Sequence, residues 1–265
     1  MRRFFFLACC LVSLTASATV TKSHVSLGGK LTAAQIIARN VDARGGLKAW
    51  RAAKTLTMTG KLEAGSEKNP ELPFVLKMKR AHMSRLEIFF QNQTAVQVYD
   101  GVQGWKLRPF LGRNEVEPFT PEEKNAALDW QELDGPLVDY AKKGIKVKLQ
   151  GMESVEGHRA YKLKMTMDNG VERNVWVDAA SFLELKIDGE PRMLDGKPRS
   201  VAIFYREYRE ENGLTMPHIL ETVVDGGKQP YRMHIEHVAI NQAMENALFA
   251  KPQLAVANAS MQQTR

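Results

Sequence analysis

The sequence has very little cysteine. Its 265 residues include only two cysteines, Cys9 and Cys10, and both lie among the first ten residues. The chain beyond Cys10 can therefore have no disulfide, no thiolate metal site and no cysteine nucleophile. Without disulfides, the fold must rest on the burial of apolar side chains, and a chain of this length can build one or two hydrophobic cores.

Long apolar runs are also scarce, and the one at the start is short. Arg2 and Arg3 precede the apolar run Phe4–Leu14, and small residues follow at Ala16-Ser17-Ala18. These are the three parts of a secretory signal peptide. A membrane-spanning helix needs about 20 apolar residues, so an uncleaved anchor is the weaker interpretation. We predict that residues 1–18 are a signal peptide that directs export to the periplasm, and that residues 19–265 form a single domain.

The chain lacks the motifs of common catalytic and metal sites. It contains no Gly-x-Ser-x-Gly elbow, no His-Glu-x-x-His motif and no phosphate-binding loop. His234 and His237 are close in sequence, but they would point to opposite faces of a strand and could not share a metal ion. The sequence therefore predicts no catalytic residue, no metal site and no cofactor. A hydrolase is the third and weakest interpretation.

Basic residues are spread along the chain. The net charge is +7, but lysines and arginines are interleaved with acids and form no basic block. This distribution argues against nucleic acid as a partner. A modest basic excess suits contact with anionic lipid head groups or with an acidic protein.

Two short helices are predicted near the start of the exported chain. Thr32 is a good helix N-cap, and Ala33–Arg44 favours helix with apolar residues on one side. Gly45-Gly46 ends this helix, and Leu47–Ala53 is predicted to form a second one.

From Thr55 onward the apolar residues recur with a period of two, which predicts strands. Only the segment Pro121–Lys143 has helical character within this series. Because the strands follow one another through short turns, the sheet must be antiparallel. The predicted fold class is α+β, mainly β. The strands form an antiparallel meander of about eleven strands that curls strongly, and the few helices must cover one face of the sheet.

Methionine is frequent on the apolar side of these strands. The chain has twelve methionines, and Met78, Met165, Met167 and Met233 each alternate with polar residues. The flexible, polarisable side chain suits surfaces that accept ill-defined apolar ligands, although core packing explains any one of them alone. The predicted helices offer few large apolar residues to cover this side of the sheet. We therefore predict an apolar cavity between helices and sheet.

Several short motifs occur in a characteristic order along the chain. They are Ile36-Ile37-Ala38-Arg39, Ala43-Arg44-Gly45-Gly46-Leu47, Tyr99-Asp100-Gly101, Gly104-Trp105, Asp134-Gly135-Pro136-Leu137, Trp176-Val177-Asp178 and Asn212-Gly213. Their order resembles that of the outer-membrane lipoprotein-sorting family, the LolA/LolB-like periplasmic carriers.

The resemblance implies an incomplete antiparallel β-barrel with short helices packed over its open concave side, and an apolar cavity that holds the acyl chains of lipoproteins or other lipids. It also implies inner- and outer-membrane transport proteins as partners, and an important arginine on an early strand. We expect a monomer that carries lipoproteins or lipids toward the outer membrane. The alternative is a periplasmic sensor or scaffold that uses the same cavity to gate a protein partner. The residues predicted to bind lipid are Phe74, Leu76, Met78, Arg80, Arg85, Trp105, Met165 and Leu185.

Overall fold

Two helices and thirteen strands make up most of the computed structural model. The structure describes residues 30–63, 71–124, 127 and 132–253. The predicted signal peptide lies outside these residues. Within the described ranges, no helix has both the length and the apolar character needed to span a bilayer.

The two predicted helices are confirmed. Helix α1 spans Ala33–Ala43 and helix α2 spans Leu47–Ala52. The Thr32 side chain accepts a hydrogen bond from the backbone N–H of Gln35 at 3.3 Å, and the Gln35 side chain accepts one from the Thr32 N–H at 2.9 Å. This capping box satisfies donors that the first helical turn leaves without intrahelical partners.

Gly45 lets the chain turn sharply between the two helices. Its φ is +104°, in the left-handed region, and a Cβ at this position would overlap the carbonyl oxygen of Gly213. Glycine is required here both by the backbone conformation and by the close approach of the turn that contains Gly213. The end of α1 is thereby held against the sheet, where the backbone N–H of Thr215 donates to the carbonyl of Arg44 at 3.0 Å.

All thirteen strands belong to one antiparallel sheet. Its order is β6-β5-β4-β3-β2-β1-β13-β12-β11-β10-β9-β8-β7, so the first and last strands pair and join the two halves of the meander. The strands are β1 Thr55–Glu63, β2 Leu72–Lys79, β3 Met83–Phe90, β4 Gln93–Tyr99, β5 Gly104–Arg108, β6 Arg113–Pro118, β7 Lys146–Val155, β8 His158–Thr166, β9 Glu172–Asp178, β10 Glu184–Leu194, β11 Lys197–Glu211, β12 Leu214–Val224 and β13 Tyr231–Ile240. Single 3-10 turns lie at Pro109–Leu111 and Asn246–Phe249.

The predicted fold class is confirmed, because the sheet is antiparallel and does not close into a barrel. It has thirteen strands rather than about eleven. The prediction missed β6, whose sequence Arg-Asn-Glu-Val-Glu-Pro is largely polar and whose side chains are largely exposed. An edge strand of this kind has no alternating apolar pattern to reveal it.

The segment between β6 and β7 agrees only in part with the helical character predicted for Pro121–Lys143. Residues 121–124 and 127 are helical, but residues 133–144 form consecutive turns. Gly135, Asp139 and Gly144 all have positive φ, which no regular helix tolerates. Residues 125–126 and 128–131 lie outside the described residues.

The sheet has two faces that can be followed from strand to strand. Residues directly opposite one another on neighbouring strands point to the same face. Met78 faces Leu56 on β1 and Ser84 on β3, and we call the face that carries Met78 the inner face. The opposite, outer face has its own small apolar clusters. One of them consists of Val96, Val98, Met244 and Phe249.

Candidate functional site

A cavity of about 510 Å³ opens on the inner face of the sheet. This volume lies within the range of roughly 300–1,000 Å³ that is typical of small-molecule sites. The wall combines strand residues with Arg44 at the end of α1 and with residues of the turn segment before β7. Its apolar residues include Leu56, Met58, Met78, Met165, Val175, Ile187, Ile203, Met216, Leu220 and Ile235 on the strands and Met167 just after β8.

Methionine is prominent in this wall. Of the methionines that the sequence pattern indicates, Met78, Met165 and Met167 line the cavity, whereas Met233 is buried but is not among the lining residues. Met58 and Met216 also contribute. Five flexible thioether side chains give the wall a surface that can adapt to an apolar ligand of variable shape.

A buried ion pair forms one end of the cavity. A guanidinium nitrogen of Arg44 lies 3.1 Å from Oε1 of Glu184, and the two side chains are 9% and 7% exposed. The same nitrogen donates to the carbonyl of Asp134 at 3.0 Å, and the guanidinium carbon lies 4.5 Å from the ring centroid of Trp50. Arg44 thus joins the end of α1 to β10 and to the turn segment before β7.

Tyr208 completes this polar end. Its hydroxyl donates to the carbonyl of Glu184 at 2.9 Å and lies 3.3 Å from the Glu184 carboxylate. Burial raises the pKa of Tyr208 well above its usual value, and the negative charge of Glu184 raises it further. The phenol therefore stays neutral and acts as a donor. Glu184 is thus matched by the charge of Arg44 and by the hydroxyl of Tyr208.

Two further cations of the wall are also paired. Lys143 lies 3.0 Å from Glu132 and hydrogen-bonds to Asp134, and Arg173 lies 2.6 Å from Glu190. Among the described residues, no group of histidine, cysteine, aspartate and glutamate side chains is arranged to hold a metal ion.

Four of the predicted lipid-binding residues lie on the inner face. Met78 and Met165 line the cavity and are 4% and 1% exposed. Phe74 and Leu76 precede Met78 on the same face of β2 and are equally buried, but they are not among the lining residues. They support the wall from within the core.

Arg80 connects three parts of the chain through hydrogen bonds. It donates to the carbonyls of Trp50 and Ala53 at 2.9 and 2.8 Å, and to the carboxylate of Asp134 at 2.6 Å. It therefore links the residue that follows β2 to helix α2 and to the turn segment. Because the turn segment lines the cavity, Arg80 contributes to the site through position rather than as part of its wall.

Arg85 and Trp105 lie on the outer face, away from the cavity. Both are aligned with Val98 across β3, β4 and β5. Arg85 donates to Glu87 at 2.8 Å and to the carbonyl of Leu248 at 3.2 Å. Trp105 packs against the outer cluster that contains Val98. The alternation that places Met78 inside places these two residues outside.

Leu185 also lies outside the cavity. The β9–β10 ladder has a register shift between Glu184 and Lys186, so the simple alternation along this strand is broken. Leu185 packs with Phe204 on the outer-face cluster that contains Trp176. The sequence pattern showed an unbroken apolar alternation here and gave no signal of the irregularity.

Sequence reasoning also missed three residues of the site, namely Arg44, Glu184 and Tyr208. Arg44 follows α1 directly and stands before Gly45-Gly46, which fixes its position in the fold, but its partner Glu184 is 140 residues away. No local pattern relates the two.

These features define a class of protein, an open antiparallel half-barrel around an apolar cavity with a charge-matched polar end. No family model matches the sequence, and no curated protein matches it. Solved structures do share the fold.

A LolA superfamily protein from Nitrosomonas europaea aligns with a TM-score of 0.54 and 14% identity, over 84% of this chain and 99% of the other. A DUF1329 family protein from Desulfovibrio piger aligns with a TM-score of 0.54 and 15% identity, over 80% and 95%. A Vibrio parahaemolyticus domain assigned to outer membrane lipoprotein sorting aligns with a TM-score of 0.50 and 14% identity, over 79% and 97%. The chain has the LolA-like fold, as its sequence motifs predict.

Proposed function

We propose that this protein is a periplasmic carrier whose inner-face cavity binds the acyl chains of lipoproteins or other lipids. The observation that carries the proposal is the methionine-lined cavity of about 510 Å³ on the inner face. A predicted signal peptide and the basic excess of the chain fit the same function. The fold neighbour assigned to outer membrane lipoprotein sorting supports it by analogy of fold.

The energetics suit a reversible carrier. Burial of each methylene contributes about 0.8 kcal/mol, so about ten buried methylenes contribute about 8 kcal/mol. That gross gain corresponds to a dissociation constant near the micromolar range. Loss of translational and conformational freedom weakens it further. Such a cavity would hold an acyl chain in water and still release it to a membrane or to another protein.

Loading and release require partners on both sides of the periplasm. We propose that inner- and outer-membrane transport proteins act as donor and acceptor. No bond is made or broken in this function, so the buried Arg44–Glu184 pair needs only to shape the cavity and maintain its closed end.

Binding of acyl chains of graded length tests the proposal. Fluorescent octanoyl, dodecanoyl and hexadecanoyl probes should bind saturably, with an affinity that rises with chain length until the cavity is filled. Calorimetry should give a negative heat-capacity change, which marks burial of apolar surface. An affinity that does not depend on chain length would contradict an apolar acyl site. Capture of a protein partner by lipid-free protein, without any acyl binding, would favour the sensor or scaffold.

A further inference from the structure

Strands β10 and β11 extend beyond their neighbours as a two-stranded ribbon, which we define as residues 190–199. Strand β9 pairs with β10 only over Glu184–Ile187, and β12 pairs with β11 only as far as Val201. Beyond these points β10 and β11 pair with each other, up to a tight turn at Asp195-Gly196. Both turn residues have positive φ, +52° and +72°, as a two-residue hairpin turn requires.

The ribbon has two chemically different faces. Met193 lies opposite Pro198, and both are exposed, Met193 to 63%. Arg192 lies opposite Arg199, and Lys197 lies on the same face because it is two residues from Arg199. One face is therefore apolar and the other carries three cations.

Positive charge dominates at the tip. The turn residue Asp195 is the only acid between Arg192 and Arg199. Arg199 also lies 3.8 Å from Asp225, and Arg192 lies 5.9 Å from the ring of Tyr231, which is 43% exposed. Cations beside an exposed tyrosine match the boundary between lipid head groups and acyl chains.

The ribbon begins at the cavity. Glu190 lines the cavity and is held by Arg173 at 2.6 Å. The residues that follow Glu190 lead directly into the exposed ribbon. A surface on which the ribbon rested would thus lie next to the cavity wall.

We propose that the ribbon docks the protein on an anionic phospholipid membrane through its cationic face, with its cations at the phosphates. The docking stands independently of the carrier function, while its use in loading the cavity rests on that function. Proline on an exposed ribbon also prevents pairing with a further strand. If this were the only role of the ribbon, the protein would not bind membranes.

Flotation with lipid vesicles tests the proposal. The protein should bind vesicles of phosphatidylcholine with added phosphatidylglycerol more tightly than phosphatidylcholine alone, and added salt should weaken the binding. Each cation near such a surface contributes about a fivefold factor. The double variant Arg192→Glu/Lys197→Glu should therefore bind at least about tenfold more weakly, whereas Met193→Ser, on the opposite face of the ribbon, should keep binding within about twofold.

A matched control comes from edge strand β7. Lys146 and Lys148 are both exposed, so Lys146→Glu/Lys148→Glu makes the same change in net charge away from the ribbon and should keep binding within about twofold. Equal loss in both double variants would overturn the proposal, because the effect would then be one of net charge. Failure of the unaltered protein to bind anionic vesicles would also overturn it. If acyl probes still bound in solution, the carrier function would stand.

Discussion

Replacement of Arg44 by methionine is expected to lower the free energy of unfolding by about 3–5 kcal/mol. The substitution removes the cation that neutralises Glu184 and leaves a carboxylate that is 7% exposed without its charge partner. It also removes a hydrogen bond to the carbonyl of Asp134 and the contact with the Trp50 ring. Chemical denaturation followed by tryptophan fluorescence measures the change.

A double variant separates the effect of the lost charge on stability from the effect of lost packing. Replacement of both residues, Arg44→Met/Glu184→Leu, should recover most of the lost stability, because no buried charge remains. The exposed pair Lys61–Glu71, whose side chains are 46% and 47% exposed, provides the control. Lys61→Met should cost much less stability than Arg44→Met, because both side chains of the pair are exposed to solvent. A cost for Arg44→Met no larger than that for Lys61→Met would contradict the assignment of a buried ion pair.

Replacement of Met78 by aspartate is expected to weaken acyl-probe binding by at least about tenfold. Met78 lines the cavity, so the new carboxylate would face the bound chain without a partner. Lys77 precedes it on β2 and points to the outer face. Lys77→Asp should therefore keep probe affinity within about twofold. Both variants are compared after circular dichroism confirms that they are folded.

A cavity-filling substitution provides the second arm of this test. Met58 lines the cavity and is 8% exposed. Met58→Trp should reduce the free volume and the affinity for hexadecanoyl probes while it leaves the protein folded. Unchanged probe affinity in both Met58→Trp and Met78→Asp would show that acyl chains bind elsewhere.

The general architecture is predictable from sequence because it depends on local patterns. Alternation with a period of two identifies the inner-face residues Met78 and Met165, and the capping residue Thr32 marks the start of α1. These signals depend on neighbouring residues only. They also sufficed to predict an antiparallel sheet, because the strands follow one another through short turns, whereas the open barrel followed from the family resemblance.

The parts that sequence did not predict depend on long-range geometry. The register shift between Glu184 and Lys186 sends Leu185 to the outer face, although its sequence alternates without a break. The contact between Arg44 and Glu184 is set by how α1 docks on β10, and no local pattern encodes it. Trp105 is a third error. It packs against an outer-face cluster and not in the cavity wall, and the sequence does not distinguish these two kinds of burial for a large apolar residue.

The central claim is that the inner-face cavity holds acyl chains, and mass spectrometry of the protein isolated under native conditions tests it most directly. Protein isolated from its native cells should carry lipid or lipidated peptide, and the Met58→Trp variant should carry less. The account predicts acyl-containing ligands that organic solvent extracts from the unaltered protein. Protein isolated without any acyl ligand, which also failed to take up hexadecanoyl chains from added vesicles, would contradict it.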